Sequence, residues 1–392
     1  MMRLCLTVDK IGNGWAPKTL EAWRFVQQVL ADMTQTVIDD ALDERELLEG
    51  LRVIAKATGL CTELAVEADG ERPRLFDMCS DTRMIGGPNP DGRYLLAMIR
   101  GDRTYRVTGT RGSTAYLGFQ VLAGTGLTPR RMAGYVSDTD LNLSSGAFAL
   151  VLSAAEPAAH ILGAAHWIPI PADASSIVVR EYIGDADTED PATMDIECVD
   201  AEPLQPITDA EAAEQFTAMA WTIVKLATLH RTVKPELLTQ PNALLSAEAA
   251  ELGNADTTPD NLYMIGTFAL EPDESLVLEF SPPDTRYWSI TLESIWHECL
   301  EPRHRHSSVT NKGCRPDVDG IARIASAPRT SGTATGWTPA VGTAASSCCA
   351  GSTTPSRPPC APRSVAARWR RDSRALSTGP VRRAGVRAGR QR

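Results

Sequence analysis

The last sixth of this 392-residue chain almost lacks acidic side chains. Residues 326–392 carry twelve arginines, no lysine and a single acid, Asp372, whereas residues 1–325 carry 48 acidic and 27 basic side chains. The long N-terminal part therefore has a formal net charge of −21 and the tail one of +11. So large a negative charge repels phosphate backbones and anionic lipid head groups, which argues against nucleic acid and membranes as partners.

Several familiar signatures are also missing. The nine cysteines form no CxxC pair and follow no regular spacing, so we interpret them as free thiols of a reducing compartment. There is no apolar stretch of 18 residues, and the first apolar run is too short for a secretory signal. A nucleophile elbow, a phosphate-binding loop, a dinucleotide fingerprint and an HExxH zinc motif are all absent. We expect a cytoplasmic protein outside those enzyme classes.

Two parts of the chain have the spacing of amphipathic helices. In residues 17–58 the apolar residues fall on one stripe and then on a second, and the pattern ends at Gly59, which predicts two helices packed as an antiparallel pair. A third helix is predicted at 208–230, because Thr208 and Glu211 have the spacing of an N-terminal capping box.

Elsewhere the apolar period changes to two. Short strand-like runs separated by turns such as GGPNPDG and GTRGS are typical of antiparallel sandwiches or jelly rolls. The predicted fold is therefore mainly β with helical additions: two antiparallel β-sandwich or jelly-roll-like domains, the second incomplete, and a disordered C-terminal tail. The predicted regions are an N-terminal helical region at 1–72, a first sandwich at 73–200, a linking helix at 205–250, a truncated second β domain at 255–325 and the tail at 326–392.

The two β regions resemble each other. NPDGRYLLAMIRGDRTYRV at 89–107 and DNLYMIGTFALEPDESLVL at 260–278 each place a tyrosine soon after Asn or Asp, then an apolar strand, a charged turn and a second strand. TAYLGFQVL at 114–122 and TRYWSITLE at 285–293 continue the match. We interpret this as an internal duplication. The second region should then end as the first does, with a tryptophan loop and a strand like those of HWIPIPADASSIVVREY at 166–182.

The written sequence after residue 325 shows no such ending, but its codons permit one in another reading frame. Read one base earlier, the codons of 335–338 permit Trp-Leu-Asp, and those of 345–354 permit Gly-Phe-Val-Val-Leu-Arg-Trp-Leu-Asp-Asn. A composition rich in Ala, Gly, Pro, Ser and Arg is also what GC-rich DNA encodes out of frame. We interpret the tail as the product of a frameshift between about Asp319 and Thr333, and the alternative is a natural disordered basic tail.

Three stretches resemble a known family. MIGGPNPDGRYLLAMI at 84–99, HWIPIPADASSIVVREY at 166–182 and DTRYWSITLESIWHECLEPRHRHSSVTN at 284–311 are similar to a bacterial two-domain family known as domains of unknown function 1254 and 1214, over about residues 70–325. The resemblance implies paired β-sandwiches with helical additions and a second domain that continues past 325, but no activity. The matching positions are Asn89, Asp91, Tyr94, Trp296, Arg303, Arg305 and Asn311.

Some of these residues are candidates for ligand binding. Asn89, Asp91 and Tyr94 would form a polar rim at the mouth of a sandwich, where small ligands often bind, although a tight structural turn is the alternative. Arg303 and Arg305 would present guanidinium groups to a carboxylate or a sulfate-like group, or else pair with nearby acids. The resemblance adds Asn311 to this set.

A second candidate is a metal site. WHECLEPRHRH places His297, His304 and His306 within ten residues, and imidazole with nearby carboxylates binds zinc and other divalent metals. A solvated basic strand is the alternative.

Taken together, these features predict a protein that binds a small polar or acidic metabolite between its domains and that a C-terminal frameshift has compromised. The alternative is a metal-assisted hydrolase that uses His304 and His306. No cofactor is predicted beyond that divalent metal, no catalytic residue is assigned, and a homo-oligomer is compatible with the sequence.

Overall fold

The structure, a computed structural model, describes residues 17–124, 130–141, 143, 145–232, 243–247, 257–259, 261–270, 275–300, 307–326, 334–338, 343–344 and 367–372. Within these ranges the chain is mainly β-sheet with helical additions, as the apolar periods predict. The helices are α1 (Lys18–Asp40), α2 (Glu44–Thr62), α3 (Ala159–Leu162) and α4 (Asp209–Ala227). Across the same ranges, none of the helices has the length and apolar character needed to cross a lipid bilayer.

The three long helices form one layer, in which α1 packs mainly against α4. The backbone N–H groups of Lys18 and Thr19 donate to the Asp209 carboxylate at 2.8 and 3.1 Å at one end of this pair. At the other end Asp40 contacts His230, so α1 and α4 run parallel. The predicted capping box is confirmed, since the Thr208 side chain accepts from the Glu211 backbone and the Glu211 carboxylate accepts in return.

Helix α2 continues past the predicted boundary at Gly59. It ends at Thr62 and is followed by a π-helical turn over Glu63–Glu67. Leu60 and Cys61 are buried in the helical layer, and we attribute the extension to their burial, which outweighs the helix-weakening effect of one glycine.

Two sheets form a first β unit. Its strands are β1 (Phe76–Asp77), β2 (Gly92–Met98), β3 (Tyr105–Thr110), β4 (Tyr116–Ala123), β5 (Arg131–Ser137), β6 (Ala147–Ser153), β7 (His166–Pro169), β8 (Ala174–Tyr182) and β9 (Thr193–Cys198). One sheet has the order β1-β2-β8-β4-β5, and the other has the order β7-β6-β3-β9. Residues from both sheets contribute to one core, so the unit is a two-layer sandwich.

A second β unit repeats this order. Its strands are β10 (Ala243–Ala247), β11 (Asn261–Leu270), β12 (Ser275–Phe280), β13 (Tyr287–Thr291), β14 (Ser308–Thr310), β15 (Ala322–Ser326), β16 (Ala334–Thr338), β17 (Thr343–Ala344) and β18 (Ala367–Asp372). One sheet has the order β10-β11-β17-β13-β14, with β16 also paired to β11, and the other has the order β15-β12-β18. This is the arrangement expected from a duplication, with β17 in the place of β8.

The register of the two units matches residue by residue at this central strand. Tyr182 of β8 pairs with Gly92 on one side and Tyr116 on the other, and Ala344 of β17 pairs with Asn261 and Tyr287. Tyr116 and Tyr287 are therefore equivalent positions. Three pieces of the predicted tail, β16, β17 and β18, are strands of the second unit. The rest of the tail lies outside the described residues.

Candidate functional site

The segment from Gly86 to Gly92, which we call the junction loop, leads into β2 of the first unit and contacts the second unit. Gly86 and Gly87 have φ angles of +89° and +69°, a backbone conformation that glycine adopts without strain. Their N–H groups donate to the carbonyl oxygen of His297 at 3.0 and 2.9 Å. Further along, the Cys299 thiol donates to the Pro88 carbonyl oxygen at 2.8 Å. The first half of the loop is thus held against the second unit.

The second half of the junction loop takes part in a reciprocal pair of contacts. The Asn89 side-chain amide donates to the Tyr287 hydroxyl, and the Asn261 amide donates to the Tyr182 hydroxyl at 2.7 Å. Each asparagine thus reaches a tyrosine of the other unit. Within the first unit, the Asn89 backbone N–H also donates to the Tyr94 hydroxyl at 2.9 Å.

Tyrosine rings fill the space between the units. Tyr182 lies between Tyr116 and Tyr287, with stacked ring centroids at 4.9 and 5.1 Å. Burial raises the pKa of Tyr182 and of Tyr287 far above the usual range, so both hydroxyls stay neutral. Of the seven tyrosines in the chain, six take part in this region through ring stacking or hydroxyl contacts: Tyr94, Tyr116, Tyr135, Tyr182, Tyr263 and Tyr287.

Beside the tyrosines, one face of β13 is polar although it is buried. Trp288 and Ile290 belong to the core of the second unit, so strand alternation puts Tyr287, Ser289 and Thr291 on the face away from that core. Ser289 and Thr291 are each only 1% exposed. A buried polar face of this kind is costly unless its groups are paired.

Two carboxylates lie beside this face. Glu293 is 3% exposed, and a Cβ atom added to Gly87 of the junction loop would lie 3.7 Å from its two carboxylate oxygens. Asp91 interacts with Ser308 of the neighbouring strand β14. Burial raises the pKa of Asp91 above its usual value, while the hydrogen bond from Ser308 opposes that shift. We call Asp91, Ser289, Thr291, Glu293 and Ser308 the oxygen strip.

Three oxygens of the strip are buried without a hydrogen-bond partner among the described residues. They are Asp91 Oδ2, Thr291 Oγ1 and Glu293 Oε1. The segment around β14 adds two more, Ser307 Oγ and Asn311 Oδ1. Since a buried unpaired polar group costs about 1–3 kcal/mol, such a concentration of acceptors between two units calls for a functional explanation.

His297 is held at one end of the oxygen strip. Its Nδ1 lies 3.0 Å from Glu293 Oε2, and its φ of +55° is the only positive value for a non-glycine residue among those described. Nearby, Lys56 contacts the Glu298 carboxylate, and the ring of His230 meets Trp296 edge-on at 4.6 Å. His297 is therefore oriented by the buried carboxylate of Glu293.

The helical layer contributes a second histidine–carboxylate pair. His230 Nε2 lies 2.6 Å from Asp40 Oδ2. Burial lowers the pKa of His230 below its usual value, although the hydrogen bond to Asp40 acts in the opposite direction. The pKa of Asp40 is lowered, chiefly by its hydrogen bond to Arg231.

The structure describes some of the predicted site residues and not others. Asn89, Asp91 and Tyr94 do lie together, at the contact between the units, where Asn89 and Tyr94 have structural hydrogen bonds. Asn311 lies at the end of β14, and its side-chain amide donates to the Arg286 carbonyl oxygen at 3.2 Å. The remaining candidates, Arg303, His304, Arg305 and His306, lie outside the described residues, so both the guanidinium pair and most of the metal site stay predictions.

Of the predicted metal ligands, only His297 is described. It is paired with Glu293, and in the described ranges no group of three His, Cys, Asp or Glu side chains is placed to hold a metal ion.

We did not predict the polar face of β13 from the sequence. Its signal is present in the YWSITLE segment, because Tyr287, Ser289, Thr291 and Glu293 alternate with Trp288, Ile290 and Leu292. A strand that is polar at every second position normally faces water on that side. Only the contact with the junction loop shows that this face is buried.

Comparisons with known proteins agree with the fold. No family model matches the chain, and no curated protein matches it. The crystal structure of an uncharacterised protein from Burkholderia cenocepacia is similar, with a TM-score of 0.79 and 25% identity, covering 91% of this chain and 98% of that one. The VPA0106 protein from Vibrio parahaemolyticus has a TM-score of 0.41 and 12% identity, over 70% of this chain and 85% of its own. The first likeness supports the two-unit architecture over nearly the whole of both chains.

Proposed function

We propose that the protein binds a small polar molecule between its two β units, at the oxygen strip. One observation carries this proposal: Asp91 Oδ2, Thr291 Oγ1 and Glu293 Oε1 are buried hydrogen-bond acceptors without described partners. A ligand that brings donor groups to these oxygens recovers part of the cost of burying them.

The charge of the strip narrows the class of ligand. Its ionisable members are the carboxyl groups of Asp91 and Glu293, and the nearby cation Lys56 is already paired with Glu298. A carboxylate or phosphate placed among these groups would be repelled. The ligand that fits is a hydroxyl-rich or amine-bearing molecule. Of the two ligand classes predicted from the sequence, a polar metabolite is therefore favoured over an acidic one.

A thermal-shift screen tests the proposal. The purified chain is mixed with polyols, monosaccharides, amino sugars and small diamines, with dicarboxylates as the opposite class. We expect at least one donor-rich compound to raise the melting temperature in proportion to the logarithm of its concentration, and the dicarboxylates to have no effect. A response to dicarboxylates alone would contradict the assignment.

Matched variants make the screen specific to the strip. Thr291→Val keeps the shape of the side chain and removes one acceptor, so the shift caused by the ligand should shrink. Thr193→Val, on the exposed strand β9 of the first unit, serves as the control and should leave the ligand response unchanged. If both variants lose the response equally, the binding site lies elsewhere.

We also propose that the chain belongs to the family of domains of unknown function 1254 and 1214, with jelly-roll-like sandwiches. The repeated strand order of the two units supports this proposal, because the resemblance implies paired sandwiches. A cytoplasmic location is proposed with it. The five described cysteines are free thiols, which supports a reducing compartment.

The frameshift is a further part of this proposal. The abrupt change of composition supports it, because residues 326–392 carry twelve arginines and one acidic side chain whereas residues 1–325 carry 48 acidic side chains. The DNA sequence across codons 315–340 is the direct test, and an unbroken frame there together with the same tail in related genes would refute it.

A further inference from the structure

A small cavity lies where the helical layer meets the first unit. It has a volume of about 130 Å³, and it is bounded by the π-helical turn over Glu63–Glu67, by the segment that leads into β1, and by Phe76 and Met98. Drug-sized ligands occupy pockets of about 300–1,000 Å³, so this cavity has room for a small molecule only. Single π-helical turns are frequent at functional sites. The described residues that line the cavity include none from the oxygen strip.

Five charged side chains line the cavity, and three of them are already paired. The Glu63 carboxylate accepts two hydrogen bonds from the Arg83 guanidinium, at 2.7 and 3.2 Å. Arg72 donates to the Asp69 carboxylate at 3.2 Å and to the Glu202 carbonyl oxygen at 3.1 Å. These contacts fix the walls of the cavity.

The other two charges, Glu67 and Arg74, have no hydrogen bond or ion pair with any described residue. Both side chains are exposed, so the cavity opens to solvent at these two residues. A carboxylate such as that of Glu67 attracts an ammonium group, and the planar guanidinium of Arg74 matches the geometry of a carboxylate. The cavity thus offers one free charge of each sign.

The remaining wall is apolar. Phe76 of β1 and Met98 of β2 are half-buried and pack against a buried cluster of the first unit. Methionine adapts its shape to irregular neighbours, so this wall accommodates short aliphatic groups of different outline. An apolar group placed here leaves water without displacing any of the paired charges.

From this arrangement we infer that the cavity binds a small zwitterion with a short apolar side chain, which is the chemistry of an aliphatic α-amino acid. Arg74 holds the carboxylate of the ligand, Glu67 holds its ammonium group, and Phe76 and Met98 contact its side chain. A ligand with only one charge leaves either Glu67 or Arg74 unpaired. This site is separate from the oxygen strip and does not rest on the function proposed for it.

Isothermal titration calorimetry on the full-length chain tests the inference with L-valine as the probe. Isovalerate, which lacks the amine of valine, and isobutylamine, which lacks its carboxylate, serve as single-charge analogues. We expect L-valine to bind with a dissociation constant on the order of 1 mM, because ion pairs at an exposed opening contribute little, and each analogue to bind about fivefold more weakly. No saturable binding of L-valine, or equal binding of either analogue, would overturn the inference.

Matched variants locate the binding site. Glu67→Gln should weaken the binding of L-valine about fivefold and leave isovalerate unaffected, whereas Arg74→Gln should weaken L-valine equally and leave isobutylamine unaffected. Glu197→Gln, at an exposed position of β9, is the control and should change nothing. Circular dichroism checks that each variant is folded.

A variant of the oxygen strip separates this inference from the proposed function. Thr291→Val should leave the binding of L-valine unchanged, even if it weakens the binding of a polyol or a diamine. If Thr291→Val abolishes the binding of L-valine while Glu67→Gln and Arg74→Gln preserve it, valine binds at the oxygen strip and the cavity is not its site.

Discussion

Strand β4 of the first unit and strand β13 of the second occupy equivalent places, and both are buried along their length. They differ on the face that bears Tyr116 and Tyr287. Gln120 of β4 donates to the Thr257 carbonyl oxygen at 3.2 Å and accepts from Arg180, whereas Thr291 Oγ1 at the equivalent position of β13 has no partner among the described residues. The difference indicates that the second unit, rather than the first, has hydrogen-bonding capacity left on this face for the proposed ligand.

The largest expected effect comes from removing one buried aromatic ring from the core of each unit. Phe119 is fully buried against Phe148 at a centroid distance of 5.3 Å, and Trp288 is 3% exposed against Phe280 at 5.2 Å. We expect Phe119→Ala and Trp288→Ala each to lower the free energy of unfolding by about 3–5 kcal/mol, because each removes a buried ring from its aromatic neighbour. Urea denaturation followed by circular dichroism measures both. A larger loss for Trp288→Ala would show that the second core is the better packed.

A smaller effect is expected from the reciprocal contacts between the units. Tyr287→Phe leaves the Asn89 amide without its hydroxyl acceptor, which should cost about 1–3 kcal/mol. Tyr182→Phe should cost less, because the Asn261 amide also donates to the Tyr263 hydroxyl at 3.1 Å. Equal losses in thermal denaturation would mean that the two contacts are energetically equivalent.

Asp91→Asn should slightly raise the free energy of unfolding, whereas the substitutions above lower it. Burial raises the pKa of Asp91, so the ionised form is disfavoured in the folded state, and stability is lost as the pH rises through the folded pKa. Above that pKa, the asparagine variant should be more stable by about 0.5 kcal/mol and should bind the ligand more weakly. Loss of stability together with unchanged binding would make Asp91 a purely structural residue.

The smallest effect concerns pH and the helical layer. His230 faces Asp40, Arg231 and His297, and burial lowers its pKa, so the unfolded chain binds more protons than the folded one near pH 6. Stability should therefore fall as the pH drops below the ordinary pKa of histidine. His230→Gln should flatten this dependence, while His166→Gln, on an exposed residue of the first unit, should not. Melting temperatures of the unchanged chain and both variants between pH 5 and 8 test this prediction.

Much of the fold is predictable from the sequence because its signals are local. The capping box at Thr208, the helical stripes and the period of two all arise from neighbouring residues. The matching tyrosines at 116 and 287 lie at equivalent register positions of the two units, as the similar sequence patterns predict. Gly59 misled the prediction because burial of Leu60 and Cys61 is a tertiary effect.

The candidate site is less predictable. Asn89 and Asp91 can be selected from a turn sequence, but the partners of the junction loop, Tyr287 and His297, are about 200 residues away in the chain. No local pattern shows that the polar face of β13 is covered by that loop. Long-range contact, rather than composition, makes the oxygen strip a site.

Because of Trp296, the packing of the helical layer is completed only late in synthesis. This residue is 2% exposed in the layer formed by α1, α2 and α4, and its indole N–H donates to the Glu46 carbonyl at 2.9 Å. The two residues are 250 positions apart. During synthesis at roughly 5–20 residues per second, the N-terminal helices would wait on the order of tens of seconds for this ring to leave the ribosome. Until then their apolar faces stay open, and a chaperone that shields nascent helices would be needed longest by this part of the chain.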